Sequence, residues 1–109
     1  MKTAKELLFV YGTLLEPAVQ KDVIGRLVPA EEDFISGYIK TTIELNCGNF
    51  PAIMKKNGGM VIGRILELTQ EELRLCDLYE GYDYKRERII TQFGVEAWVY
   101  KPVIEPEID

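Results

Sequence analysis

Glu6-Leu7-Leu8-Phe9-Val10-Tyr11-Gly12-Thr13-Leu14 is the stretch on which the fold turns. An apolar run that stops at a glycine reads as a buried strand breaking into a tight loop at Gly12. Just beyond it, Pro17 suits a first helical position, where its missing N–H is no loss. Ala18 to Ile24 can then make two turns that end at Gly25. Residues 34–45 mix aromatic and β-branched types around Gly37 and suggest a strand or a bent pair. Asn46-Cys47-Gly48-Asn49-Phe50-Pro51 is loop chemistry, and Asn57-Gly58-Gly59 a turn.

Met60 to Leu68 reads as a second buried strand, and the helix after it announces its own start. Thr69 with Glu72 three residues on makes a capping box, and Glu71 favours the same end of the helix dipole. The helix should run to about Tyr79 and stop near Gly81. Lys85–Thr91 and Val95–Tyr100 form two strands joined by a tight turn at Phe93-Gly94. This order of elements lacks the alternation of a doubly wound sheet. It predicts an α+β domain whose mixed sheet curls into a small β-barrel-like body with flanking helices. One domain covers residues 1–109, with a core of about 7–101 and an acidic, proline-interrupted tail over 102–109 that frays.

Composition removes whole classes of function. The net charge is −5 and the densest basic stretch, Lys85-Arg86-Glu87-Arg88, carries an acidic residue within it, so no nucleic-acid partner is expected. The apolar runs are far shorter than the roughly 20 residues of a helical span. Met1–Glu6 leads into a run too short for a secretory signal. The expectation is a cytoplasmic protein with no membrane association. There is no histidine, and Cys47 and Cys76 stand alone with no CxxC pair. That leaves no ligand set for a structural zinc site and no base for Ser-His-Asp or Cys-His catalysis. No metal site is expected from these residues. Both cysteines fit better as small core residues than as a disulfide.

Proton transfer, if the chain is an enzyme, falls to carboxylates, tyrosines, lysines or the backbone. Tyr11-Gly12-Thr13-Leu14 is one candidate: where a strand breaks, successive N–H groups can point outward together and hold a carboxylate or an oxyanion, with Gly12 letting the chain turn without a Cβ clash. The plain alternative is a strand-ending glycine turn. Glu80 is the other candidate. Helical spacing aligns it with Leu73 and Cys76, so it shares an apolar face, where low dielectric raises a carboxyl pKa and makes a better base. Tyr79, Tyr82 and Tyr84 would wall such a pocket. The alternative is a helix that ends earlier and a solvated Glu80. Glu44 and Glu67 read as exposed strand positions, Asp77 as the solvent side of the helix, and Lys85 to Arg88 as alternating strand faces.

Five short motifs in order carry a resemblance over residues 8–100. Phe9-Val10-Tyr11-Gly12-Thr13-Leu14 resembles the F-V-Y-G-T-L opening of γ-glutamylcyclotransferase-like proteins. Asn49-Phe50-Pro51-Ala52-Ile53 is similar to their aromatic-Pro-Ala segment, and Gly63–Leu68 to their glycine-led aliphatic strand. Leu75–Tyr82 resembles the helix end carrying E-G-[YF], and Ala97-Trp98-Val99-Tyr100 the closing A-x-V-Y strand. One departure is that Tyr84-Lys85-Arg86 follows Gly81 almost at once, so the loop usual there is shortened. The resemblance is to a family that includes γ-glutamylamine cyclotransferases and avirulence-induced-gene-like proteins. It implies a cofactor-independent reaction on a small-molecule γ-glutamyl substrate, an amino acid or an amine. The α-amine closes onto the side-chain carbonyl to give 5-oxoproline and a released amine. It further implies Glu80 as general acid/base and Tyr11, Gly12, Thr13, Leu14 and Tyr84 as substrate-binding residues. A non-catalytic module that binds an amino-acid-like ligand in the same pocket is the alternative.

Overall fold

The computed structural model describes residues 5–45 and 48–104. Strand β1 (Lys5–Val10) leads through one 3₁₀ turn (Thr13–Leu15) into helix α1 (Pro17–Val23), with Pro17 in its first turn. Two long strands follow, β2 (Ala30–Leu45) and β3 (Gly48–Thr69). Helix α2 (Gln70–Glu80), a second 3₁₀ turn (Gly81–Asp83) and the hairpin of β4 (Tyr84–Ile90) and β5 (Glu96–Pro102) complete the chain.

The five strands form one sheet in the order β2-β3-β1-β5-β4. Every neighbouring pair is antiparallel except β1 and β5, where Leu8 and Phe9 lie opposite Trp98 and Val99 in parallel. β1 is therefore central, and its apolar run needs both faces buried, as parallel-paired strands do. Leu8 and Val10 pack with Leu66, Leu68, Leu73 and Cys76 beneath the helices. Phe9 and Tyr11 pack with Ile35, Ile53, Val61 and Val99 on the other face. The sheet curls into a half-barrel: the Gln92 N–H on the β4–β5 turn donates to Phe34 O on edge strand β2 (2.8 Å), and the Phe93 ring meets Phe34 edge-on.

The capping box is complete. Glu72 N–H donates to the Thr69 hydroxyl (3.1 Å), and Thr69 N–H donates to the Glu72 carboxylate (2.9 Å). Arg26 grips the same carboxylate through Nε (2.7 Å) and a terminal nitrogen (2.9 Å), tying the segment after α1 to the start of α2. That guanidinium, with the cap, holds the Glu72 carboxyl down to about 2. Cys76 is a buried free thiol; Cys47 lies outside the described residues.

Three expectations need correction. Gly48–Pro51 is strand, since Leu45 to Thr42 pair with Gly48 to Pro51 in register. Nor does Asn57-Gly58-Gly59 turn the chain. Tyr38 pairs with Lys55 and Ser36 with Met60, so Lys56 to Gly59 bulge opposite Gly37 and the ladder resumes beyond them. Gly58, at φ 79, supplies the left-handed step that a bulge wants, and local turn chemistry cannot distinguish this from a hairpin end. The tail is anchored further than expected, because β5 reaches a buried Pro102 and Val103 N–H donates to Asp83 O (2.8 Å). Residues 105–109 of that tail lie outside the description.

Gly63 is the tightest point of the sheet. A Cβ there would run into the Val10 carbonyl and reach the Phe9 ring at 2.7 Å. Neither neighbour can withdraw, because both belong to central β1. Gly63→Ala should therefore cost about 2 kcal/mol or more, by overpacking. Urea unfolding would show a lower midpoint at an unchanged slope.

Candidate functional site

Where β1 runs out, a cavity of about 290 Å³ opens between the 3₁₀ turn, the end of α2 and the β2–β3 hairpin. Its floor is buried: Val10, Leu14 and Tyr100. Tyr11 forms one wall and is fixed there by donating its hydroxyl to Tyr100 O (2.7 Å). The loop after it is braced from behind by Gln20 of α1. The buried Gln20 amide donates to Leu14 O (2.8 Å) and accepts from Val28 N–H (3.1 Å). Leu15 N–H closes the turn on Gly12 O (3.0 Å). Among the described residues, the N–H groups of Gly12, Thr13 and Leu14 have no acceptor, as expected at the start of a helical turn.

Glu80 closes the opposite side. The helix does run through it and ends one residue later at Gly81, whose N–H donates to Asp77 O. Leu73 and Cys76 on the same face are buried, and Glu80 is half-buried with its carboxyl lining the cavity. Among the described residues no hydrogen-bond donor or cation pairs with it. Burial among apolar walls pushes its pKa up, from an ordinary 4.5 to about 7. Its charge is felt around the cavity: burial first, then Glu80, raises Tyr11 and Cys76, and lifts Tyr84 to about 12.

The family described as gamma-glutamyl cyclotransferase, AIG2-like, matches this chain over residues 8–107. The chain belongs to that family. It is 28% identical to AIG2-like protein C of Arabidopsis thaliana over 93% of its length, and spans 62% of that relative. A solution structure of another Arabidopsis thaliana protein superposes at a TM-score of 0.78 with 26% identity, covering 94% of this chain and 66% of that one. A structure titled gamma-glutamyl cyclotransferase shares the fold at a TM-score of 0.70 with 16% identity, covering 92% of this chain and 68% of that one. The predicted α+β, β-barrel-like fold with flanking helices, here a half-barrel, is thus the fold of these relatives.

In this member of the AIG2-like family, the six residues that the resemblance implies as acid/base or substrate-binding line a single cavity: Tyr11, Gly12, Thr13, Leu14, Glu80 and Tyr84. Gly12 departs from expectation. Its φ of −118° is open to any residue, and an added Cβ would instead stand 3.4 Å from the Pro51 side chain, inside the cavity. That is ordinary contact, so neither backbone strain nor a clash demands a glycine at this position. Tyr82 is fully exposed and is not part of the wall, because the 3₁₀ turn after Gly81 swings it outward.

Asp77, expected on the solvent side of the helix, is only partly exposed and is engaged by the protein. It accepts from Arg86 Nε (2.5 Å) and from Tyr100 OH (2.7 Å), pinning α2 to β4 and β5 directly behind Glu80. Arg86 and Arg88 both stack on Trp98, while Glu44 and Glu67 are exposed as expected. Sequence reasoning missed Leu45, Phe50, Pro51 and Asp83 at the rim. The Phe50-Pro51 pair was visible as part of a motif, but its place over the cavity depends on the pairing of β2 with β3. Tyr84 links the two sides, donating its hydroxyl to Pro51 O (2.7 Å), and Thr13 and Tyr79 share a hydroxyl–hydroxyl bond (2.6 Å).

The raised pKa of Glu80 has a consequence for folding. Since its folded pKa lies above its unfolded one, wild-type stability falls as pH rises from 4.5 through about 7. Glu80→Gln removes that loss. The variant should match wild type near pH 4 and be more stable above pH 7 by about 1–2 kcal/mol, discounted for partial solvent contact. Thermal melts across this range would show the two Tm curves diverging toward alkaline pH. Parallel curves would mean a solvated carboxyl.

Proposed function

We propose that the chain catalyses γ-glutamyl cyclisation: a γ-glutamyl compound closes to 5-oxoproline and releases its amine. The observation that carries this reading is Glu80, a carboxyl without a partner among the described residues. It is raised to about 7 in an apolar cavity that it shares with three unengaged backbone N–H groups, in a chain of this family.

An α-amino group, with a pKa near 8, is largely protonated at neutral pH and cannot attack a carbonyl in that form. A carboxylate near 7 is matched to removing its proton at that pH. The freed amine nitrogen forms a bond to the side-chain amide carbon, giving a tetrahedral oxyanion. The bond from that carbon to the leaving nitrogen then breaks as Glu80 returns the proton to it. The extra proton on the now cationic ring nitrogen passes to the departing amine, which leaves as an ammonium with Glu80 restored as a carboxylate. The N–H groups of Gly12, Thr13 and Leu14 are suited to the glutamyl carboxylate or to the oxyanion, where preorganised donors have their greatest effect. Ring closure is intramolecular, so the narrow cavity between Tyr11, Leu14 and Tyr84 contributes by holding the bent rotamer. Every group in this scheme is supplied by the chain itself.

Glu80→Gln should lower kcat by about 10²–10⁴-fold while leaving the fold intact. In wild type, kcat/KM should fall as pH drops through about 7, because protonation removes the base. Quantifying 5-oxoproline from γ-glutamyl amino acids and γ-glutamyl amines reads both. Full activity in Glu80→Gln would remove Glu80 from the mechanism. Tight binding with no product from any compound would instead favour a ligand-binding module.

A further inference from the structure

We infer that Asp83 is a specificity-determining residue, selecting γ-glutamyl compounds whose leaving amine carries a second, positive charge. This rests on the cyclisation reading above and adds to it the chemistry of the leaving side.

The cavity has a direction. Its floor is fully buried, Glu80 stands half-buried along the wall, and Asp83 is exposed at the mouth. A glutamyl head at the Gly12–Leu14 turn with its scissile amide beside Glu80 therefore sends its leaving amine toward Asp83. At that end the charges are all of one sign. The ionisable carboxyls lining the cavity are Glu80 and Asp83, and among the described lining residues there is no lysine or arginine. Arg86 behind the cavity is already committed to Asp77.

Asp83 is held in place from both sides. It ends a three-residue 3₁₀ turn directly after α2, and its carbonyl accepts the Val103 N–H (2.8 Å). Among the described residues its own carboxylate has no ion-pair partner. The half-exposed Tyr79 ring stands on the same rim and offers a face to a cation. A leaving group bearing a carboxylate, as in a γ-glutamyl amino acid, would meet like charge with no compensating cation. A leaving group bearing an ammonium would meet Asp83. Complementarity of this kind acts as discrimination between partners more than as raw affinity.

Three conjugates of nearly equal length separate the cases: γ-glutamyl derivatives of 1,4-diaminobutane, of butylamine and of 4-aminobutanoate. Wild type should prefer the first over the third by about tenfold or more in kcat/KM, with butylamine between them. High salt should compress that range. Asp83→Asn should raise KM for the diamine conjugate and lower it for the carboxylate conjugate, moving the two in opposite directions. A merely structural role would move all three alike and would overturn the inference, as would equal turnover of the three by wild type. Calorimetric binding of the same conjugates to Glu80→Gln reads selectivity without turnover. The same order of affinities with no 5-oxoproline from wild type would sink cyclisation and keep Asp83; no binding of any conjugate would sink both.

Discussion

Burial of β1 on both faces sets the position of every other element. A six-residue strand with Leu8 and Phe9 wholly inaccessible needs a neighbour on each edge and a layer over each side. The edges are met by β3 and by the parallel return of β5, the faces by the two helices and by the curl of the sheet. Gly63 marks how closely this is done, since the adjoining strand presses a bare Cα against the Val10 carbonyl. Parallel pairing forces a long route between β1 and β5. The chain uses that route to build the β2–β3 hairpin and α2, the two elements that later close over the cavity.

The same burial produces the candidate site. β1 must stop somewhere, and at its end the backbone leaves the sheet with N–H groups that no ladder satisfies. α2 is registered on the sheet by a complete capping box at its start and by Asp77 near its end, where Arg86 and Tyr100 hold it. With both ends held, the last residue of the helix has little choice of direction. Glu80 is delivered beside the broken strand, into a wall of aliphatic and aromatic carbon that destabilises its charge. The raised pKa of Glu80 is a product of scaffold rigidity. Its neighbours supply desolvation, and the supporting polar contacts lie one layer back, on Asp77 and Gln20.

Polar groups near the cavity divide into two kinds. Tyr11, Tyr84, Gln20 and Asp77 spend their donors or acceptors on the protein, and so act as braces. The carboxyls of Glu80 and Asp83 and the N–H groups of Gly12, Thr13 and Leu14 belong to cavity-lining residues and have no partner among the described residues. Buried polar groups are ordinarily satisfied, so spare capacity concentrated around one concave surface is what marks this cavity as the candidate site.

Much of this was legible in the residues. The unbroken apolar run of β1 implied burial on both faces, and Thr69 with Glu72 located the start of α2 because a capping box is a local hydrogen-bonded unit. Gly81 located its end for the same local reason. Helical periodicity then put Glu80 in line with Leu73 and Cys76, but periodicity left open whether that face met core or water. Contacts distant in sequence decided the rest. Asp77, which periodicity assigned to solvent, is claimed by residues 9 and 23 positions away. Gly58 looks like a turn until β2 is seen to hold register on either side of its bulge. Phe50, Pro51 and Asp83 gain a role only once the hairpin and the short turn after α2 have been folded to one rim. Local hydrogen bonding and periodicity belong to neighbours in the chain, so the sequence alone determined β1, the two helices and the closing hairpin, whereas the extent of β2 and β3 was decided by their pairing with each other. The cavity is a space between segments that pair only in three dimensions, and tertiary structure alone decided its shape, its charge and the environment of Glu80.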